Sequence, residues 1–508
     1  MKLFDGLNRR QRTAWLIAGA VVLLAVVAGV ALMLRSNRQV VLNADVVGQI
    51  PEPEAAVPLA PIGDSRADRV RSVVIYHPDA IGLNLVTDVR EVTYGSDLTL
   101  EEAVVEAVLD ELGADADDIQ LLSLEVSQRV ATVNLSIDAR MLDPEQLHSL
   151  RAALVNSLLE LSDMDYVNVL INDREECIIQ LPTGTLNRFG TELDAEWTQA
   201  ASEQARFDSD ESAVLERYMT LYFGAAGGEY ILPEVRSVRI EGDDYLGAVV
   251  EQLLRGPDDT LTYSRLMPSD SEYLRRTPAI VVSDDGNRIA VLSFNGKIME
   301  YFERNGISTA LAMGALTRSI CGFVPEVDGV LCDINGITLT ELTDINGEVV
   351  YTFDDGIMRR SDFDSLVGEV ARVYYPSGEP AVLKPYDIAV SRYDVDNPRA
   401  LLKLLMEAPE DGGARRAMPQ GVTDADVLGV RVDSDQVLIN LSGAFYQACQ
   451  GMSADEARAL VYSIVNTMCE LPGIKSVRFY FDGERVDYLA GAICLRGPLM
   501  SNVGIVRS

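Results

Sequence analysis

Residues 437–484, VLINLSGAFYQACQGMSADEARALVYSIVNTMCELPGIKSVRFYFDGE, decide the fold of this chain. They open with an alternation of apolar and other side chains, which is typical of a strand with one face on a core. Ser453 and Glu456 then form the capping box of a helix, and Pro472 follows the end of that helix. The apolar alternation returns in Val477, Phe479 and Phe481. The stretch therefore predicts a strand, a helix and a second strand.

The helix in this stretch carries an apolar stripe that recurs 310 residues earlier. Spacings of three and four residues place one set on a single side of the helix, namely Ala457, Leu460, Ile464, Met468 and Leu471. The matching residues of the earlier helix are Leu147, Leu150, Leu154, Leu158 and Leu161. A weaker copy lies between them, with a strand at 292–295, a helix end at 316–321 and a last strand at 330–336. Such a shared period predicts three units of one architecture.

Each unit has the predicted element order β-β-α-β-β-α-β. In the first unit, Thr99 and Glu102 form the capping box of one helix, and Asp143 followed by Pro144 begins the other. Two helices among hairpins indicate an α+β fold in which the helices pack on one face of a sheet. The opening strands align on Tyr76, Tyr222 and Tyr374, for which we favour a packing role.

The predicted organisation divides the 508 residues into eight segments. Two stretches remain without a place in the repeat, a loop at 265–278 and a strand-like run at 349–353. The segments are a cytoplasmic arm at 1–12, a transmembrane helix at 13–34, an extended linker at 35–69, a first domain at 70–184, a linker at 185–216, a second domain at 217–345, a linker or extra strands at 346–369 and a third domain at 370–498.

Residues 13–34 contain no charged side chain and are long enough to span a hydrocarbon core. More basic residues precede this run than closely follow it, so the positive-inside rule predicts a cytoplasmic N-terminus and an extracytoplasmic body. This predicts a single-pass membrane protein with a signal-anchor. The alternative is a cleaved signal peptide, but the run exceeds the usual length of such a core.

The charge of the chain excludes one large class of partners. It has 43 basic and 78 acidic side chains, a net charge of −35. Such a field repels phosphate backbones, so we expect no nucleic-acid binding. The acidity is also accounted for by solubility alone.

Residues suited to catalysis or metal binding are scarce in the sequence. His77 and His148 have no Cys or His partner at a metal-ligand spacing. The acidic runs at 115–118 and 284–287 are better explained as turns than as calcium loops. No nucleophile or phosphate-loop motif is present. We therefore predict no catalytic, cofactor-binding or metal site and no cofactor.

The six cysteines leave two alternatives open. An extracytoplasmic body permits disulfides, for example between Cys321 and Cys332. Their apolar positions favour buried thiols instead.

Several of these motifs resemble the GerMN domain family of GerM-like sporulation and germination proteins. The resemblance is carried by 464–468 (IVNTM), 470–479 (ELPGIKSVRF) and Asp482-Gly483 in the third unit, and by 253–257 (LLRGP) in the second. It implies three tandem copies behind the anchor, with a fold similar to the ring-building modules of the channel complex between mother cell and forespore.

The resemblance also implies a function. We expect a non-enzymatic scaffold or adaptor, anchored through 13–34, that binds envelope and sporulation proteins on the outer side of the membrane. A peptidoglycan-binding protein of the same topology is the alternative, and a hydrolase with two carboxylates is a third class.

Overall fold

A computed structural model describes residues 58–113, 116–210, 212–379, 381–409 and 413–507. The predicted arm at 1–12, the transmembrane segment at 13–34 and most of the linker at 35–69 lie outside the described residues. None of the helices in the described part of the chain combines the length and the apolar character needed to cross a lipid bilayer. Residues 60–508 form one compact body.

The first unit has the predicted order of elements. A short strand, β1 (Ser65–Arg66), comes before it, and helix α3 (Leu193–Ser209) comes after it. Between these lie β2 (Arg69–Pro78), β3 (Leu85–Tyr94), α1 (Leu100–Leu112), β4 (Leu121–Ser127), β5 (Val130–Leu135), α2 (Pro144–Leu159) and β6 (Tyr166–Ile171).

The second unit keeps this order and adds elements to it. Its main elements are β7 (Val214–Ala225), β8 (Ile231–Glu241), α4 (Tyr245–Arg255), β9 (Tyr263–Ser264), β10 (Ala279–Val282), β11 (Arg288–Phe294), α5 (Lys297–Asn305), α6 (Thr309–Cys321) and β12 (Gly329–Ile334). Short strands follow at β13 (Ile337–Thr338), β14 (Glu341–Thr343), β15 (Val349–Thr352) and β16 (Ile357–Met358). The run at 349–353 that had no place in the repeat supplies β15, which pairs with β14 in a small hairpin.

The third unit repeats the order once more. Its elements are β17 (Gly368–Pro376), β18 (Leu383–Ser391), α7 (Pro398–Leu404), β19 (Val427–Asp433), β20 (Gln436–Leu441), α8 (Gly443–Cys449), α9 (Ala454–Met468), β21 (Ser476–Phe481), β22 (Tyr488–Leu489), β23 (Ile493–Cys494) and β24 (Leu499–Met500). Helices α5 and α8 are additions to the predicted two helices per unit. Helix α8 forms because Ser442 caps it, accepting a hydrogen bond from the amide of Phe445 at 3.0 Å.

The helix starts follow the predicted chemistry. Thr99 and Glu102 form the expected capping box at α1, and Ser453 and Glu456 form the one at α9. Asp143 caps α2, with Pro144 in its first turn. These side chains accept or donate for backbone groups that have no partner inside the helix, so the sequence determines where each helix begins.

Each unit contains a sheet with a middle strand that has one antiparallel and one parallel neighbour. The middle strand is antiparallel to the strand before it and parallel to the strand after it, as in β4-β5-β6, β10-β11-β12 and β19-β20-β21. The parallel pairing requires a crossover helix, which is α2, α6 or α9. The residues of both predicted apolar stripes are buried, although Leu161 and Leu471 lie just past the ends of α2 and α9.

The crossover helix packs on both sides. It contacts the sheet on one side and the first strand of the unit's long hairpin on the other, for example α6 with β12 and β7. All of Thr309–Cys321 is buried as a result. The three apolar cores that form around these helices are separate from one another.

The chain enters through the third unit. Strand β1 pairs in parallel with β19, the outer strand of the β19-β20-β21 sheet. The amides of Gly63 and Ala67 donate to the carbonyl oxygens of Leu428 and Val432 at 3.0 and 2.9 Å. Residues 61–67 therefore complete a sheet that lies more than 350 positions further along the sequence.

Candidate functional site

A buried glutamate joins all three units. Glu125 on β4 of the first unit is 4% exposed, and its Oε2 lies 2.5 Å from Nη2 of Arg318 on α6 of the second unit. Arg360, which follows the second unit, and Arg392, at the end of β18 in the third, bring guanidinium nitrogens to within 3.7 and 3.5 Å of the same oxygen. We call Glu125 and these three arginines the Glu125 junction.

The charges of the junction determine the ionisation of its carboxylate. Burial by itself would raise the pKa of Glu125, but Arg318, Arg360 and Arg392 together hold that pKa at about 2. Tyr222 also donates a hydrogen bond from its hydroxyl to Oε1 at 3.1 Å. The glutamate is therefore ionised at any pH at which the protein is expected to fold, and its charge compensates the arginines.

Further contacts fix the first unit to the third beside this junction. The hydroxyl of Ser127 donates to the carbonyl oxygen of Gly368 at 2.7 Å. The backbone amide of Gln128 donates to the carboxylate of Glu369 at 2.6 Å. These bonds lie at the start of the third unit, so the first and third units contact each other directly.

The aligned tyrosines have a common structural role. A hydroxyl on the crossover helix accepts a hydrogen bond from the backbone amide of the tyrosine in every unit: Ser157 from Tyr76 at 2.8 Å, Ser319 from Tyr222 at 2.9 Å and Thr467 from Tyr374 at 3.1 Å. The bond attaches the long hairpin to the crossover helix. The sequence alignment located these tyrosines but not the hydroxyl partners.

The second unit uses its tyrosine differently. In the first and third units the tyrosine hydroxyl donates to a glutamate on its own unit, Glu160 at 3.0 Å or Glu470 at 2.5 Å. The corresponding position of the second unit is Gly322. Without a local carboxylate, Tyr222 reaches Glu125 of the first unit instead.

The residue just before each hydroxyl residue on the crossover helix also differs in the second unit. Asn156 and Asn466 each hold the backbone of one following residue, accepting from its amide and donating to its carbonyl oxygen, at Phe189 and Asn502 respectively. The second unit has Arg318 there, which binds Glu125. Two departures from the repeat thus meet at the same carboxylate.

A cleft of about 880 Å³ lies between the first and third units, next to the junction. Its apolar lining includes Leu124 and Val126 of β4 and Val430 and Val432 of β19. The residues 64–66 form part of its wall. The cleft is therefore built from the edges of two units and from the entering chain.

More carboxylates than arginines line the cleft. Arg129 binds Asp165, and Arg399 binds Asp64 and Asp424, whereas Arg66 donates to the backbone carbonyl oxygen of Asp396 at 2.6 Å. In the described part of the chain, the carboxylates of Glu101, Asp163 and Asp396 form no ion pair with Lys or Arg. These three acids line the cleft and give it negative charge.

Three of the carboxyl groups in the cleft are harder to ionise than usual. Burial raises the pKa of Asp396, although the charges of Arg66 and Arg69 oppose the rise. Burial raises the pKa of Glu101, and the neighbouring carboxylates of Asp396 and Asp163 raise it further. Burial also raises the pKa of Glu369, although hydrogen bonds from Val370 and Gln128 oppose the rise. Groups of this kind gain from a cationic neighbour, so the cleft suits a positively charged ligand.

The histidines lie apart from the cleft. His148 is 7% exposed and packs edge-on against Phe189 and Trp197, with ring centroids 5.2 and 6.0 Å away. Burial, followed by the charge of Arg151, lowers the pKa of His148 to about 4. It is a neutral packing residue. His77 lies at the end of β2, far from His148 in the sequence.

The cysteines are free thiols in the structure. Cys321, Cys332 and Cys449 are buried, and burial raises the pKa of each thiol. The pKa of Cys177 is raised to about 12 for the same reason. A thiol with a raised pKa is a poor nucleophile at neutral pH.

The acidic runs considered for calcium lie in turns. Residues 283–287 connect β10 to β11, and the amide of Ser283 donates to the carbonyl oxygen of Asn287 at 2.9 Å. Gly286 has a φ of 86°, which permits this tight reversal. Residue 115 of the other run lies outside the described residues.

Two segments of the chain match a family model, Germane, described as sporulation and spore germination. The matched residues are 74–177 and 372–487, which are the first and third units. The resemblance drawn from the sequence is confirmed for these two units, and the family is one of sporulation and spore germination. The match does not extend to the second unit.

Comparison with solved structures finds the tandem GerMN domains of the sporulation protein GerM from Bacillus subtilis, 17% identical, with a TM-score of 0.22, covering 57% of this chain and 98% of that one. A putative lipoprotein from Clostridium perfringens is 22% identical, with a TM-score of 0.19, covering 26% of this chain and 87% of that one. The first GerMN domain of GerM alone is 14% identical, with a TM-score of 0.20, covering 26% and 96%. Comparison with curated proteins finds no match.

Proposed function

We propose, from the premise that the first and third units are similar to the Germane family, that this chain is a non-enzymatic scaffold or adaptor in spore formation and germination. The observation that carries the proposal is the Glu125 junction, because it fixes three units against one another and so presents their surfaces in a constant arrangement. A rigid set of surfaces is what a scaffold needs and what an isolated domain lacks.

We infer that the second unit is a third copy of the same domain. Its sheet has the same antiparallel and parallel pairings as the other two. Its Ser319 accepts from the amide of Tyr222 in the place where Ser157 and Thr467 accept from Tyr76 and Tyr374. The same hydrogen bond between hairpin and crossover helix occurs in all three units. It supports a common architecture for the second unit, which the family model does not match.

The membrane topology is part of the proposal. Residues 13–34 anchor the chain as a single span, with the arm at 1–12 in the cytoplasm and the body outside. The uncharged run and the basic residues before it support this assignment.

The non-enzymatic character is supported by the described side chains. His148 is neutral and enclosed by aromatic rings, and the buried thiols have raised pKa values. The acids of the cleft have no histidine or cysteine among the residues that line it with them.

The cleft between the first and third units is the surface we assign to a protein partner. Its apolar strands suit an extended segment, and the carboxylates of Glu101, Asp163 and Asp396 suit basic side chains on that segment. The partner is accordingly an envelope protein of the developing spore, for example a component of a channel or ring complex between mother cell and forespore, that presents a basic stretch.

The test is affinity capture of the tagged full-length chain after mild crosslinking in cells that are forming spores, with mass spectrometry of the captured proteins. We expect envelope proteins to be recovered, and to be lost in a Glu101→Lys variant, since the substitution places a positive charge in the cleft. Glu91→Lys is the matched control, because Glu91 is exposed on β3 outside the cleft.

Recovery of peptidoglycan fragments alone would favour the wall-binding alternative. Recovery of nothing beyond what a chain lacking residues 70–490 captures would overturn the scaffold proposal. If Glu101→Lys captures the same proteins as the unmodified chain, the scaffold stands and the cleft is not its binding surface.

A further inference from the structure

Three potential metal ligands meet on the first unit, away from the cleft and the Glu125 junction. They are His77 on β2, Asp88 on β3 and Glu111 in the last turn of α1. One donor atom from each side chain lies within 4.8 Å of the others. His77 and Glu111 are each 20% exposed and Asp88 is 56% exposed, so solvent reaches the group from one side.

The hydrogen bonding of His77 determines which nitrogen is available. Nδ1 lies 3.0 Å from the carbonyl oxygen of Pro78, which can only accept a hydrogen bond. Nδ1 therefore carries a hydrogen, and in the neutral imidazole Nε2 keeps its lone pair. A ring hydrogen donated to a backbone carbonyl is the arrangement that holds a metal-binding histidine in position.

The unprotonated Nε2 of His77 faces a carboxylate oxygen of Asp88, and both atoms are hydrogen-bond acceptors. Nε2 of His77 lies 3.4 Å from Oδ2 of Asp88. Two acceptors at this distance repel each other unless a cation lies with them. Either a proton on the imidazole or a bound metal ion removes the repulsion. A proton would need only His77 and Asp88, whereas a metal ion would also use the nearby carboxylate of Glu111.

The repeat shows that this histidine is particular to the first unit. The residue after the aligned tyrosine is His77 in the first unit, Phe223 in the second and Tyr375 in the third. Phe223 packs under the guanidinium of Arg236, 5.1 Å from its ring, and Tyr375 donates its hydroxyl to the carbonyl oxygen of Leu404 at 2.8 Å. The position that holds a packing aromatic ring in the second and third units therefore holds an imidazole in the first.

The acids show a related pattern. Asp88 pairs across the hairpin with Ile75, as Glu234 of the second unit pairs with Leu221. Arg90 donates to Glu111, whereas the corresponding Arg236 donates to the carbonyl oxygen of Gly256 at 2.6 Å. In the second unit Arg236 contacts two acids, Glu234 and Asp258, so an arginine with two acids is common to both units and the histidine is the addition of the first.

We propose that Nε2 of His77 and the carboxylates of Asp88 and Glu111 bind a divalent transition-metal ion of the zinc class. One imidazole and two carboxylates are ligands of the type that Zn²⁺ accepts, and water completes its coordination on the open side. Arg90 occupies Oε2 of Glu111 and leaves the other oxygen for the metal. The ion would join both strands of the hairpin to the end of α1.

Isothermal titration of metal-free full-length protein in detergent with ZnCl₂ tests the proposal. We expect His77→Phe to lose one equivalent of bound Zn²⁺ or at least tenfold in its affinity. Phenylalanine is chosen because the second unit has it at this position. Asp88→Asn should weaken the same site, and it keeps the test decisive if His77→Phe does not fold by circular dichroism.

Two further variants separate a metal site from a simple ion pair. Asp387→Asn removes an exposed carboxylate from the corresponding hairpin of the third unit and should leave the Zn²⁺ titration unchanged. Arg90→Gln removes the cation that competes for Glu111 and should tighten binding. Absence of any site whose affinity falls in His77→Phe and Asp88→Asn would overturn the proposal and leave a protonated histidine paired with Asp88.

Discussion

One position on the crossover helix decides how each unit is held. Asn156 and Asn466 use their amide groups to fasten the chain that follows their own unit, and Arg318 at the same place fastens a neighbouring unit. The difference is one of reach and charge, because a guanidinium extends further than an amide and attracts a carboxylate. A single side chain therefore converts a repeat unit into the centre of a larger structure.

A second buried acid has the opposite pKa shift from Glu125. Glu175 is fully buried, and its Oε1 accepts hydrogen bonds from the amides of Thr183 at 2.7 Å and Gly184 at 3.2 Å. Its own amide donates to the carbonyl oxygen of Cys321 in the second unit at 3.0 Å. Burial raises the pKa of Glu175 to about 7, although Arg151 and the two amides oppose the rise.

We predict that this group makes stability fall with rising pH. Between the unfolded pKa of 4.5 and the folded value of about 7, the folded state keeps a proton that the unfolded state has released. Stability should therefore drop by about 3 kcal/mol as pH rises through this window. Glu175→Gln keeps the accepting oxygen and does not titrate, so chemical denaturation from pH 4.5 to 8 should show a flatter profile.

The control for this prediction is Glu91→Gln, an exposed glutamate on β3. It should reproduce the pH profile of the unmodified chain. An unchanged slope in Glu175→Gln would show that another group accounts for the pH dependence.

The sequence patterns predicted local structure, but they did not predict which distant side chains contact one another. The capping boxes at Thr99 and Ser453 and the apolar stripes on α2 and α9 were predictable because each involves residues a few positions apart. The Glu125 junction was not, because Glu125 and Arg318 are 193 positions apart and no spacing rule connects them. His77, Asp88 and Glu111 come together only because a hairpin and a helix place them so.

At the scale of elements, the short strand β1 is the least expected part of the fold. Its residues come from a proline-rich stretch without periodicity, which gave no strand signal. They pair because β19 has a free edge, and the carboxylate of Asp64 accepts from the amide of Val430 at 3.0 Å. Tertiary context, and not local propensity, makes this strand.

Gly429 on β19 makes the pairing of β1 with β19 possible, and this gives a testable prediction. A Cβ at Gly429 would lie 2.5 Å from the backbone nitrogen of Gly63 and 2.8 Å from the carbonyl oxygen of Pro61. Gly429→Val should therefore displace residues 61–67 from the sheet. Hydrogen exchange of a peptide covering 60–68 should rise at least tenfold, because its amides lose their partners.

Gly378→Val is the matched control in the same unit, since a Cβ at Gly378 meets no atom within 4 Å. It should leave exchange at 60–68 unchanged. Equal protection in Gly429→Val and the unmodified chain would mean that β1 is held by contacts other than its pairing with β19.

At the scale of the whole molecule, contacts between the units set the relative positions of three separate apolar cores. The cores do not merge. The Glu125 junction and the bonds from Ser127 and Gln128 connect the units, together with contacts such as Arg174 with Asp328 and Thr185 with Thr220. The architecture of each unit follows from its sequence, and the arrangement of the units follows from side chains that depart from the repeat.

We predict that Glu125→Gln destabilises the protein by about 3–5 kcal/mol, because it leaves the buried Arg360 and Arg392 without a carboxylate partner and Arg318 with Asp364 alone. It should also change the number of unfolding steps, since the units lose their common contact. Thermal unfolding followed by calorimetry should show one main transition in the unmodified chain and separated transitions in the variant.

The comparison for this prediction is Asp387→Asn, which breaks the ion pair with Arg372 on the surface of the third unit. Both side chains of that pair are about half exposed, so the expected loss is below about 1 kcal/mol. A loss of the same small size in Glu125→Gln would show that the junction contributes little to the coupling of the units.

The pairing of β1 with β19 also has a mechanical consequence. A pulling force applied to the chain before Pro61 reaches the hydrogen bonds of Gly63 and Ala67 with the third unit before it reaches the first unit. The third unit would bear such a load first, although it comes after the other two in the sequence. Rupture of these bonds would release residues 61–67 while β2 and the folded units behind it remained intact.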